Sequence, residues 1–146
     1  MDFSIDRIPG FEVGRTSHLL QSEIRNGLNE AGLKVSAEGL SILLLLRETQ
    51  KPIRVSELAK LAVRDGTTLK RQLDGLMQVG FVTHSKDESD RRAVLVSCTP
   101  EGKAAVEFIK PTLNAIREKA LRGLAKRELA ITVNVLQRVQ ANLLNP

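Results

Sequence analysis

The 146-residue chain has no tryptophan, no tyrosine and four phenylalanines. Single-stranded nucleic acids are held by stacking bases on exposed aromatic rings, so that mode of binding is disfavoured from the outset. One cysteine, Cys98, excludes an intramolecular disulfide framework and fits a reducing compartment. His18 and His84 are the only histidines, too few beside one remote cysteine for a zinc site. The longest pure apolar run, Ile42 to Leu46, is far short of a membrane span. The opening MDFSIDRIPGFE carries acids and no apolar core, unlike a secretory signal. Gly-rich phosphate loops, nucleophile elbows and plausible Cys/His pairs are missing as well. The expectation is a cytoplasmic protein that is not an enzyme and uses no cofactor, metal or membrane.

What is present is ordinary for a folded chain: 42% hydrophobic and 27% charged residues, which argues against disorder. Lys and Arg exceed Asp and Glu by 22 to 17, a net charge of +5. Residues 51 to 92 hold nine Lys/Arg and six Asp/Glu, so +3 of that excess sits in one segment. A basic balance favours polyanionic partners without identifying one.

Helical periodicity appears first over residues 11 to 31, with Leu20, Ile24 and Leu28 four apart, Gly27 weakening the helix and Gly32 stopping it. Residues 1 to 10 read as a loose lead-in ending Ile8-Pro9-Gly10. Ser36 caps a second helix to about Thr49, with Leu40, Leu43 and Leu44 facing inward. Ile53 to Val55 reads as a short strand, and Ser56 as the cap of a helix with an apolar face of Leu58, Ala59, Leu61 and Ala62. The next helix starts near Asp65, carries Leu69, Leu73, Leu76 and Met77 on one stripe, and ends at Gly80. Phe81 to Ser85 and Ala93 to Cys98 read as strands joined by a wholly polar turn. Thr99-Pro100-Glu101 starts a long helix to about Leu124, with Pro111 expected to kink it. A last helix, Arg127 to Leu144, places Leu129, Leu136, Val139 and Leu143 near one face.

Two short amphipathic helices followed by a polar hairpin is the order of a winged helix-turn-helix: one helix braces, the second enters the major groove, and the hairpin brings cations to the phosphates or the minor groove. The expected fold is therefore mainly α with a small antiparallel β-hairpin wing, flanked by N- and C-terminal helices that pair two copies across a twofold axis. The division is 1–34, 35–99 and 100–146, the middle part being the winged region. On the second helix Thr67, Thr68, Lys70 and Arg71 lie opposite the leucine stripe. Arg71 suits the two acceptors of a guanine; the threonines suit phosphate or a thymine methyl. At the hairpin tip Lys86, Arg91 and Arg92 supply charge, and Asp90 is placed to hold the Arg92 guanidinium by a bidentate pair. A solvated helix face and a polar β-turn with incidental charges would carry similar residues, and Asp87, Glu88 and Asp90 offset much of the local positive charge.

From Val55 to Ala104 the chain resembles the MarR family of transcriptional regulators, through SELAKLA, GLMQVGFV, the wing element DRR and the strand-to-helix run AVLVSCTPEGKA; LAKREL is similar to the family's junction into its last helix. The resemblance implies a homodimer on a pseudo-palindromic double-stranded operator, most often repressing and often released by a small phenolic or lipophilic effector. It implies Arg92 as the wing arginine, Asp90 as its anchor, and Thr67, Thr68 and Arg71 as recognition-helix contacts. It places Arg15 and His18 on a face used for the effector cleft, where a plain surface or interface role is the alternative. Three positions depart from the pattern: Lys70, where many members have Thr or Ser; Cys98, where an apolar residue is usual; and Gly66, a poor helix former at the front of the recognition helix. Peroxide-sensing members carry their cysteine near the N-terminus, so Cys98 reads as a small core residue. His84 is expected to be exposed or near phosphate. The competing function is a winged-helix protein–protein interaction module without DNA binding.

Overall fold

A computed structural model of the chain describes residues 9–145. Most of the lead-in expected over residues 1 to 10 thus lies outside the described residues. The elements, in order, are α1 (Pro9–Glu30), α2 (Ala37–Thr49), β1 (Ile53–Arg54), α3 (Val55–Ala62), α4 (Gly66–Gln78), β2 (Val82–Lys86), β3 (Val94–Cys98), α5 (Pro100–Ala120) and α6 (Lys126–Leu144). Mainly α architecture with a small antiparallel sheet is what the periodicities predicted. Among the described residues no helix is long and apolar enough to cross a membrane.

The chain divides into two compact units, the first ending at Ile116. The core of the first is built on α2, whose near-continuous apolar run lets it meet neighbours on several sides. Ile42, Leu43 and Leu46 pack with Leu58 of α3, Leu69, Leu73 and Leu76 of α4, and Val82 and Val96 of the sheet. Each such side chain, removed from water, contributes about 1.5–3 kcal/mol before entropy is counted. A second cluster joins Leu28, Leu40 and Ile109 from α1, α2 and α5. Gly27 serves this crossing: a Cβ there would lie 2.7 Å from Cγ2 of Thr112. Its value is close approach, so the propensity penalty expected at this position is offset by packing. Of the stripe expected on α1, only its C-terminal part is covered, with Leu28 buried and Ile24 half-buried, whereas Phe11, Val13, Leu19 and Leu20 are exposed.

The sheet runs β1-β3-β2, antiparallel throughout. Val82 pairs with Cys98 and Lys86 with Val94; Ile53 adds a third strand opposite Val96. This edge strand corrects one expectation. Ser56 does not cap α3, because the chain passes from β1 straight into the helix and Arg54, in extended conformation, occupies the cap position with no side-chain bond. The other signals hold. Ser36 accepts from Gly39 N at 2.9 Å, and Gly80 has a left-handed φ of +78°. Thr99 Oγ1 accepts from Gly102 N at 3.0 Å while donating to the Gly80 carbonyl at 2.7 Å, tying the start of α5 to the end of α4. α5 continues through Pro111.

In the second unit α6 starts where Glu128 Oε2 accepts from Ala125 N at 2.7 Å. Within the chain α6 buries no residue, and Ile131, Val133, Val135, Val139 and Leu143 are exposed.

Candidate nucleic-acid interface

The turn between α3 and α4 puts Val63 in the left-handed region, φ +50° and ψ +56°, a costly place for a β-branched side chain. Its N–H bonds back to the end of α3, which closes the turn and sets the angle to α4. Asp65 then caps α4. Its Oδ1 accepts from Thr68 N at 2.9 Å and its Oδ2 from the Thr68 hydroxyl at 2.6 Å. The hydroxyl bond, followed by the backbone bond, lowers the Asp65 carboxyl below its ordinary value. Gly66 is the first helical residue, where weak propensity costs little.

Of the four polar residues assigned to the reading face, Thr67, Lys70 and Arg71 are exposed and Thr68 is half-buried, its hydroxyl committed to Asp65. Lys70 pairs with Asp74 one turn on at 3.1 Å. An exposed pair of this kind is worth about 0.3–0.5 kcal/mol, so the ammonium is readily redirected. Arg71 has no partner among the described residues. The leucine stripe, by contrast, is fully in the core.

In the wing, Asp90 does not hold the Arg92 guanidinium. It accepts from the Arg92 backbone N–H, Oδ1 to N 3.0 Å. An acceptor two residues before an N–H closes a tight turn without immobilising a long side chain, so the turn takes the carboxylate and the guanidinium stays free. Lys86, Arg91 and Arg92 are exposed, and their side-chain cations have no partner among the described residues.

The strong ion pair of the wing comes from outside it. Arg54 grips Asp87 Oδ2 through Nε at 2.8 Å and Nη2 at 2.7 Å. Asp87 also accepts from the Ser89 hydroxyl at 2.7 Å and the Ser89 N–H at 2.9 Å. The two Ser89 bonds and then Arg54 hold the Asp87 carboxyl at about 2. Counting Arg54 with the wing, four cations face three acids, so the net charge there is positive and the offset expected from Asp87 is answered. Arg54 and Asp87, 33 residues apart, carry no sequence signal as a pair.

α4 and the wing share one concavity of about 630 Å³, with Lys70, Asp74 and Met77 on one side and Asp90 and Arg92 on the other, over an apolar floor that includes Leu73 and Val96. His84, exposed on β2, lies there with Nδ1 3.2 Å from Met77 Sδ. Cys98 is half-buried against the core, and burial raises its thiol.

Arg15 and His18 line one open concavity of about 450 Å³ on α1. They lie on an open face of α1 with Phe11 and Leu19, and Arg15 sits over the Phe11 ring at 5.7 Å. The concavity is open because residues 9–20 of α1 are all exposed.

The sequence profile of the MarR family matches residues 35–94, from the residue before the cap of α2 to the first residue of β3. YdgJ of Bacillus subtilis (strain 168), an uncharacterised HTH-type transcriptional regulator, is 28% identical over 116 residues, 80% of this chain and 70% of its own. The transcriptional regulator PA3341, of known crystal structure, is 31% identical with a TM-score of 0.78 over 94% of this chain and 98% of its own. BpsR of Bordetella bronchiseptica, whose DNA binding is regulated by 6-hydroxynicotinic acid, shares the fold at a TM-score of 0.83 and 24% identity, over 96% of this chain and 98% of its own.

Proposed function

Since the chain belongs to the MarR family, we propose that this transcriptional regulator acts by sequence-specific binding of double-stranded DNA as a cytoplasmic homodimer that represses transcription. Residues 35–99 read the DNA, and the helices of 1–34 and 100–146 join the two copies. α4 enters the major groove with Thr67, Lys70 and Arg71 toward the base edges, while Thr68 braces the helix start. The wing delivers Arg92, flanked by Arg91 and Lys86, to phosphates or the adjacent minor groove, where a narrow groove attracts guanidinium. Asp90 shapes the turn that presents Arg92. The observation that carries this reading is the shared concavity, in which Arg92 of the wing, its side chain unpartnered among the described residues, lies with Lys70 of the helix that follows the brace. Two copies would place their α4 helices one DNA turn apart, about 34–36 Å. The exposed apolar side chains of α1 and of α6 supply each copy with surface to bury against the other.

Release by a small phenolic or lipophilic effector completes the proposal, with Arg15 and His18 as its polar contacts once a second copy covers α1. BpsR, with its hydroxylated aromatic acid, supports that class. The effector shifts DNA affinity only by its differential affinity for the bound and free states.

The test is fluorescence anisotropy against the DNA flanking the gene, with random duplex as control, across a salt series. Affinity for the flanking DNA should exceed that for random duplex and fall steeply with salt. Arg92→Ala should cost about 1–3 kcal/mol. Equal binding by wild type and variant would refute the wing assignment; no binding at low salt would favour a protein-interaction module instead.

A further inference from the structure

We infer that the cleft between the start of α2 and the flank of α4 away from the wing seats a second DNA phosphate row, with Lys34 and Arg64 as its cations; this rests on α4 entering the major groove, as proposed above. α4 is bordered by a concavity on each flank. On one flank, Lys70 and Asp74 face the wing across the groove already described. On the other, Thr68 and Arg71 share a cleft of about 460 Å³ with Lys34, Ser36, Glu38 and Arg64.

A helix lying in a major groove about 12 Å wide has a sugar–phosphate strand on either side. The wing meets one of them. The α2-side cleft has the charge to meet the other. Three cations, Lys34, Arg64 and Arg71, outnumber its one acid, Glu38, for a net +2. Lys34 is exposed and has no ionic partner among the described residues. Arg64 is held without being neutralised: its Nη1 donates to the carbonyls of Ala62 at 3.3 Å and Val63 at 3.4 Å, which fixes the guanidinium at the α3–α4 turn and leaves its charge unpaired. The positive end of α2, capped by Ser36, adds the same sign. The cleft wall is also polar where a core residue is expected. Gln72 is 8% exposed and lines the cleft.

The contact is to phosphate and carries no base information. Lys34→Gln, Arg64→Gln and the double variant should be titrated by anisotropy with random duplex and with the flanking DNA, at several salt concentrations. Arg25→Gln, an equal charge change on an exposed face of α1, is the control. Each cleft substitution should weaken both duplexes by a similar factor, roughly eightfold near 0.1 M salt, and shorten the slope of log K against log salt by about 0.9 per phosphate lost. Arg25→Gln should keep the wild-type slope. Wild-type slopes in both single variants, or an equal loss in Arg25→Gln, would overturn the cleft assignment alone. A wild type that shows no salt-dependent binding would overturn the DNA reading and the cleft with it. Lys34 precedes α2, outside the strained turn, so its variant remains informative if Arg64→Gln melts early.

Discussion

Gln72→Met should make the protein more stable. Gln72 lies on α4 between the buried Leu69, Leu73 and Leu76 and is itself 8% exposed, with Oε1 lacking a protein partner among the described residues. An amide oxygen buried without a partner costs about 1–3 kcal/mol. Methionine has nearly the length and volume of glutamine, so the swap leaves no cavity, and repacking costs less than about 1.5 kcal/mol. The two residues differ little in helix propensity. The balance is a gain of about 1 kcal/mol, or roughly 2–4 °C in Tm for a chain of this size. The assay is urea and thermal unfolding of both proteins at equal protomer concentration, since association makes stability concentration-dependent. Gln72→Ala is the control: it removes the oxygen too but leaves a hole, and should fall below Gln72→Met. A methionine variant that unfolds at lower urea than wild type, with unchanged m, would refute the reasoning and mean that the amide is satisfied in solution.

Gly102→Ala should destabilise despite its helical position: the added Cβ would sit 2.3 Å from the Phe81 carbonyl oxygen and 2.9 Å from Cys98 Sγ. The propensity gain of about 1 kcal/mol loses to a backbone clash costing about 1–3 kcal/mol or more, read as an earlier urea midpoint. Asp87→Asn should free the wing from Arg54, seen as faster amide exchange over residues 86–93 and weaker DNA binding. Because the folded Asp87 carboxyl lies at about 2, below its ordinary 3.8, its stabilisation is complete above the unfolded pKa and fades as pH falls toward about 2. The melting difference between wild type and Asp87→Asn should therefore be constant near neutrality and vanish in strong acid. Cys98→Ser should match wild type in DNA binding with and without mild peroxide, since burial raises the thiol and keeps thiolate scarce at neutral pH. Release of wild-type protein by mild oxidant, absent in the serine variant, would contradict that.

Local signals were legible from sequence because their physics is local. Ser36, Asp65 and Thr99 act on N–H groups three residues away. Gly80 meets a left-handed position that its missing Cβ permits. The leucine stripe of α4 follows from a 3.6-residue period. Contacts between segments distant in sequence were not legible. Ser56 looks like a cap until β1 is seen to run directly into α3. Gly27 reads as a weakness until Thr112 is found against it. Asp90 sits well placed for the Arg92 guanidinium, yet the turn uses its carboxylate for the backbone. Arg54 and Asp87 meet only because strand order sets β1 beside β3 of the wing. Lys34 and Arg64 acquire their shared cleft from the packing of α2 on α4.

α6 has a consequence for how the protein behaves in a cell. A helix of this length is marginal in water by itself, and no residue of α6 is fully buried in its own chain. If its order comes from a second copy, ordering and association are one event, and the folded fraction rises with abundance. Falling expression would then reduce both the number of chains and the share that is assembled. Occupancy of an operator would decline faster than the protein count, and the unassembled remainder would offer proteases a loose α6. Dilution would hasten clearance, so the switch would sharpen at low copy number before any small molecule acts.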